Sequence, residues 1–383
     1  MRNVDAAGLG IGDDYPPRVM GVLNVSDESP YKPSVFDDAD EAAEYVDRDL
    51  IDEGADIVDV GLETANKRFD VLPAEAELER LETAVETMAS TSGDAVWSIE
   101  TRYSEVAAAA LDAGFDMVND VCGFADPEMP RVCAERDAAV VKMASPPDLE
   151  RPGAVEEVDD IYEALQRGGL TEKTIVDPAF GGWSEAKTLD HDRETFHRLR
   201  EFRGLGRPIL VSINRKNFLK AVAGRDTEGA LPVSLAATSM AVERGAHVVR
   251  THDVAETRDA ALIGSEFRRP RHRERSEPVG VEELDVTTPR EAARHLERVG
   301  GESVDPAAAN GCVARVLELG PLGGDEMAVL DDACAGTGAT AVAGTGGRAV
   351  VAGTLDALDS VRSATDDTTP LGRALGRYFE SQL

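Results

Sequence analysis

Cysteine, basic charge and long apolar runs are all scarce in this chain. Four cysteines, Cys122, Cys133, Cys312 and Cys334, are spread over 383 residues. None forms a Cys-x-x-Cys pair or has a histidine set nearby, which argues against a zinc site and predicts unpaired thiols in a reducing compartment. Lysine and arginine number 40 against 73 acidic residues, a formal net charge of -33. The acids are scattered along the chain and not gathered in a tail, the pattern of a solvated shell suited to a salt-rich cytoplasm. A phosphate backbone would be repelled by such a surface, so no nucleic acid is expected as partner. The first residues, "MRNVDAAGLGIGDDYPPR", lack the apolar stretch of a secretory signal. No window approaches roughly 18 uninterrupted apolar residues, and a soluble, cytoplasmic protein without membrane contact is expected.

What the chain does contain is alternation. An apolar run, "VMGVLNV" (19–25), precedes an amphipathic stretch at 37–54, and "ADIVDVG" (55–61) follows. Further strand-like runs are "AVWSI" (95–99), "FDMVN" (115–119), "AAVVKM" (138–143), "TIVD" (174–177), "PILVSI" (208–213) and "HVVRTHD" (247–253), with helix-like segments between them. Short β-branched runs alternating with amphipathic helices imply parallel strands joined by crossovers. Eight such units in about 250 residues predict an α/β fold of the (β/α)8 TIM barrel type.

Nearly every one of these runs ends in a polar residue: Asn24, Glu63, Glu100, Asn119 with Asp120, Lys142, Asp177, Asn214 with Arg215 and Lys216, then Arg250, His252 and Asp253. Loops are polar in any protein, which would explain a single position. In a parallel barrel, however, all these ends share the face where barrel enzymes hold substrate, and the set would be costly to desolvate without a ligand. Arg250 and His252 alternate with Thr251, so they point the same way and can share an anion in the quadrant where barrels often hold phosphate. Carboxylates accept paired N–H bonds, and amides offer a mixed donor and acceptor edge. The inventory suits a flat, nitrogen-rich ring carrying a phosphate or pyrophosphate.

The runs "VMGVLNV", "DIVDVG" with Glu63, "WSIETRYSEVAAAALDAGFDMVND", "TIVDPAFG", "SINRKNFL" and "VVRTHDVAET" resemble, in order and spacing, the motifs of the dihydropteroate synthase family of pterin-binding barrels. The resemblance covers roughly 18–267. It implies condensation of 6-hydroxymethyl-7,8-dihydropterin pyrophosphate with 4-aminobenzoate, with Mg2+ and a homodimeric enzyme. It also implies site roles: Asn24 for the metal and pyrophosphate; Glu100, Asn119 and Asp177 for the pterin; Lys216 for the pterin and the amine; Arg250 and His252 for the pyrophosphate. Lys216, Arg250 and His252 are the expected catalytic set.

The chain departs from that family in its first two loops. "NVSDESP" stands where Asn-Val-Thr-Pro-Asp-Ser-Phe is common, with Glu28 in the acidic position and Pro30 for the aromatic, and "GLETANK" puts Ala65 and Asn66 where threonine and arginine are usual. Lys67 or Arg68 could replace that arginine, or both could be ordinary surface cations. Glu100 replaces an aspartate, and "PAFGGWSEAK" replaces a run ending in Gly-Phe-Gly-Lys. A pterin-dependent methyltransferase and a non-catalytic pterin-binding paralogue are the rival readings; the first would not need the Arg-Lys and Arg-x-His-Asp clusters.

The expected organisation is an N-terminal segment (1–17), the barrel (18–267), an arginine-rich linker (268–280) and a small α+β domain (281–383). Helical patterns are expected at 288–299, 306–319, 325–335, 354–363 and 371–381, with a hairpin at 339–353. The glycines of "GTGATAVAGTGGR" lack the ending of a nucleotide-binding loop and read as the hairpin turn.

Overall fold

The computed structural model describes residues 1–26, 32–64, 71–148, 152–181, 186–274, 279–301, 305 and 307–380. The sequence features at Glu28, Pro30, Ala65, Asn66, Lys67 and Arg68 lie outside the described residues. Two compact units divide the chain, Met1–Pro270 and Arg271–Leu383.

In the first unit the eight apolar runs become eight parallel strands: β1 (Arg18–Asn24), β2 (Ile57–Gly61), β3 (Val96–Thr101), β4 (Met117–Asp120), β5 (Ala139–Met143), β6 (Thr174–Asp177), β7 (Leu210–Val211) and β8 (Val248–Thr251). Neighbours pair in chain order, and β8 pairs with both β1 and β7. A bridge between Val176 and Ile209, with a 2.9 Å bond from the Val176 N–H to the Pro208 carbonyl, closes the ring between β6 and β7. This is the expected (β/α)8 barrel.

Period-two alternation then decides what each side chain meets. Met20, Ile57, Val96, Met117, Ile175 and Val248 fill the lower interior, where Val4, Ala6 and Ile11 join them. Those last three come from a hairpin of two three-residue strands, Val4–Ala6 and Leu9–Ile11, that floors the barrel. Behind this floor Asp13 accepts hydrogen bonds from Arg203 (2.7 Å) and His247 (3.1 Å). Burial alone would raise the Asp13 carboxyl, but His247 and Arg203 hold it well below the usual range. Outside the ring, Phe180, Phe196 and Phe218 form a closed triangle with centroids 5.7–6.1 Å apart. Phe180 follows β6 and Phe218 opens the helix Asn217–Ala223, so the triangle ties the loops after β6 and β7 together.

The second unit has a three-stranded antiparallel sheet, with Ala349–Thr354 between Ala314–Leu319 and Thr340–Ala343. Helices Pro289–Gly300, Gly324–Cys334, Leu355–Ala364 and Pro370–Glu380 accompany it. Leu330, Val351, Leu358, Val361, Leu371 and Leu375 form its core. The hairpin turn holds Gly346 and Gly347 at φ 68° and 71°, a left-handed region open to glycine. The sequence pattern at 306–319 was read as helix, and this is corrected. Among the described residues of that stretch only Ala308–Gly311 is α-helical, and "ARVLEL" is a strand whose burial alternates residue by residue. Period two outweighs alanine content there.

Candidate active site

A fully buried carboxylate, that of Asp59, lies in the middle of β2. It accepts hydrogen bonds from Ser98 Oγ (2.7 Å), Asn119 Nδ2 (3.0 Å) and Arg250 Nε (2.7 Å), drawing together β2, β3, β4 and β8. Sequence reasoning missed Asp59 because it looked at strand ends. The signal was alternation: Asp59 shares the inward parity of Ile57 and pairs in register with Ser98.

One layer higher, Asn24, Gly61, Glu100 and Asn119 are joined in register across β1 to β4. Gly61 has no side chain for a reason, since a Cβ there would stand 3.0 Å from Asn24 Oδ1. Asn24 donates from Nδ2 to Ser34 Oγ at 3.0 Å, which fixes the orientation of its amide and sets Oδ1 toward Gly61. Glu100 accepts from Arg250 Nη2 at 2.6 Å. Burial raises the Glu100 carboxyl, with Arg250 opposing. Burial likewise works against the charge of Arg250, but Glu100 and Asp59 hold its pKa above the ordinary value.

Across the mouth, Asp177 closes β6 and accepts the Ala179 N–H at 2.8 Å. Burial pushes its carboxyl up to about 6, against the pull of that N–H and of Lys216. Lys216 is lowered by burial, with Asp177 as its principal opposing charge. Gly181, at φ 116°, passes so near that a Cβ would lie 3.0 Å from Lys216 Nζ. The unfamiliar "PAFGGWSEAK" still ends in a lysine with a fixed place: Lys187 donates to the Ala179 carbonyl (2.6 Å) and lies 3.6 Å from Asp192. His252 follows β8, and burial followed by the charge of Arg250 lowers it to about 3, so its ring is neutral at physiological pH.

Not every polar strand end faces the mouth. Lys142 and Asp120, expected there, point the other way. Asn119 and Val141 take the inward positions, and Lys142 Nζ donates to the Leu165 carbonyl (3.1 Å) near the end of helix Val158–Gln166. Asp120 accepts the Cys122 N–H (2.7 Å) and is raised by burial to about 7. Arg215 is also spoken for. Its Nε and Nη2 form a fork on Asp253 at 2.8 Å each, and its Nη1 donates to the Thr227 carbonyl at 2.7 Å. Asn214 adds a third bond to Asp253 at 2.8 Å. Glu63 at the rim is bound by Arg102 and accepts the Leu72 N–H (3.0 Å).

Chemically, the mouth offers ionisable acceptors (Asp59, Glu100, Asp177), amides (Asn24, Asn119) and cations (Lys216, Arg250) within one concave face. Arg250 retains Nη1 beyond its two carboxylate bonds. Among the described residues no helix is long and apolar enough to cross a membrane.

Comparison with known proteins agrees with this geometry. Residues 20–252 match the family described as pterin binding enzyme. A probable bifunctional folylpolyglutamate synthase/dihydropteroate synthase of Haloferax volcanii is 37% identical over 283 residues, 70% of this chain and 33% of that protein. The chain thus spans about a third of that relative's length. The dihydropteroate synthase of Bacillus subtilis is 30% identical over 62% of this chain and 84% of its own. A solved dihydropteroate synthase from Coxiella burnetii, in complex with pteroic acid, superposes with a TM-score of 0.59 at 27% identity, covering 70% of this chain and 99% of that one. This chain belongs to the family of pterin-binding enzymes, on the side of the dihydropteroate synthases.

Proposed function

We propose that the barrel joins 6-hydroxymethyl-7,8-dihydropterin pyrophosphate to 4-aminobenzoate, giving 7,8-dihydropteroate and pyrophosphate as a step of folate synthesis. The observation that carries this reading is the array centred on Asp59, with Asn119, Glu100 and Arg250 bonded into one unit opposite Asp177 and Lys216. Carboxylates and amides suit the guanidine-like edge of a pterin, and buried cations suit the charge that gathers on a departing pyrophosphate. In the reaction the bond from the pterin methylene carbon to the pyrophosphate oxygen breaks, and the oxygen keeps the electron pair. The amine lone pair of 4-aminobenzoate forms the new C–N bond, and the surplus amine proton leaves to solvent. Asp177, Asn119 and Glu100 bind and orient the pterin, Lys216 lies between pterin and amine, and Arg250 with neutral His252 holds the leaving group. Positioning the two partners supplies much of the rate.

Magnesium belongs to the same proposal. Among the described residues no group of three or more His, Cys, Asp or Glu could hold a metal by itself. A magnesium ion that takes one or two protein oxygens and completes its shell with phosphate and water fits this site. Asn24 would hold it through Oδ1, the acceptor atom of an amide whose orientation the bond from Nδ2 to Ser34 fixes. Bound there, the ion would neutralise pyrophosphate charge. A homodimer in the cytoplasm completes the reading: all four cysteines are free, and Met240, Leu262, Ile263 and Phe267 are exposed along helices Leu231–Glu243 and Val254–Glu266 and their ends. The decisive measurement is pyrophosphate release in molar potassium chloride with magnesium, with and without 4-aminobenzoate. Amine-dependent release that yields dihydropteroate is expected; tight pterin binding without it would make the chain a binding protein.

A further inference from the structure

The second unit contains a cleft of about 720 Å³, within the size range of small-molecule sites. Pro289, Leu355 and Phe379 give it an apolar lining. Helix Pro370–Glu380 forms one wall, and its sequence "LGRALGRY" sets Gly372 with Gly376, and Arg373 with Arg377, one turn apart.

The two glycines differ in what they permit. A Cβ on Gly372 would stand 2.2 Å from the Asp366 carbonyl, so close packing demands glycine there. Around Gly376 nothing lies within 4 Å of such a Cβ. A glycine inside a helix is unfavourable relative to alanine, and at Gly376 no contact among the described residues requires it. Its effect is to keep the cleft open.

The charges are divided as well. Arg362 is paired with Asp359 at 2.7 Å, lies within the field of Asp367, and stands 5.7 Å from the centre of the Phe379 ring. Arg373 donates to the Thr368 carbonyl, and neither Arg373 nor Arg377 has a carboxylate partner among the described residues. Glu380 is the remaining acid of the lining. The lining carries three acids, Asp359, Asp367 and Glu380, and three arginines, but Arg373 and Arg377 are bonded to none of these acids. A guanidinium pair takes a carboxylate, and the apolar lining with its phenyl ring takes a flat body.

We propose that this cleft is a second binding site, for an aromatic carboxylate held by Arg373 and Arg377 with its ring against Phe379. Resting on the reaction proposed above, the ligand is the aminobenzoate moiety, brought either by the free amine or by the pteroate product. The test is equilibrium dialysis of the full chain in molar potassium chloride, with 4-aminobenzoate and pteroate as separate probes. Wild type, Arg373→Gln/Arg377→Gln, Gly376→Leu and Asp177→Asn are compared. At least one probe is expected to bind wild type at a site that Asp177→Asn retains, and that the double arginine variant and Gly376→Leu each weaken at least tenfold. The probe that loses binding identifies the source. Equal binding of both probes, within twofold, to wild type and the arginine variant overturns the proposal, as does the absence of any site that survives Asp177→Asn. Failure of the barrel reaction would instead appear as absent amine-dependent pyrophosphate release, a separate assay.

Discussion

Asp59 occupies the interior of a strand, where an unpaired carboxylate would be costly, and three donors from three other strands meet it there. Replacing it with asparagine removes the charge but keeps the shape, leaving Arg250 to Glu100 alone. Asp59→Asn is expected to lower kcat/KM for the pterin pyrophosphate by about 10²-fold, or ~2.7 kcal/mol, with unchanged far-UV circular dichroism. Activity within threefold of wild type would remove Asp59 from the site. Asp177 carries a pH prediction. Its carboxyl is raised to about 6, so it is ionised above that value and protonated below it. A protonated carboxyl accepts paired N–H bonds poorly, and KM for the pterin substrate should rise about tenfold per unit as pH falls below about 6, then stay flat above 7. His252 stays neutral until about 3 and contributes no step in that window. Asp177→Asn should abolish the inflection; an inflection that survives this change belongs to another group.

At the scale of elements, Arg215 braces the loop after β7 to the loop after β8. It holds a left-handed φ of 52° and makes a two-pronged contact with Asp253 and a third bond to the Thr227 carbonyl. Lys216, its neighbour, inherits its direction from this brace. Arg215→Ala and Arg215→Lys should both raise KM about tenfold and lower the melting temperature by several degrees, because a lysine cannot reproduce the fork. Full rescue by lysine would show that only charge matters. The Arg215 case also marks where sequence reading stopped. Strands were legible because β-branched runs announce themselves, and the shared face of Arg250 and His252 followed from alternation around Thr251. Arg215 stands in the sequence only as one polar residue near a strand end, because its partner lies 38 positions away. Lys142 was misread for a different reason, since a rule about strand ends ignores which face each end presents. The floor hairpin escaped notice because strands of three residues carry too little periodicity to register.

For the whole molecule the governing quantity is the net charge of -33. At low salt this field repels a polyanionic substrate; near molar salt the screening length falls to roughly 3 Å and only direct contacts remain. KM for the pterin pyrophosphate should therefore fall as potassium chloride rises toward molar, provided circular dichroism shows the fold intact across the range. A KM that climbs steadily with salt would mean that the cations of the mouth outweigh the shell.

The closure of the barrel between β6 and β7 has a mechanical consequence. A hoop is as stiff as its weakest joint, and here the joint is one bridge and one backbone bond at Val176, beside a strand of two residues. Asp177 stands on one side of that joint and Lys216 lies beyond the other, so any give in the hoop is felt as a change in the distance between them. The phenylalanine triangle outside acts as a clamp across the same joint. The spacing of Asp177 and Lys216 is thus set in part by three rings packed outside the barrel.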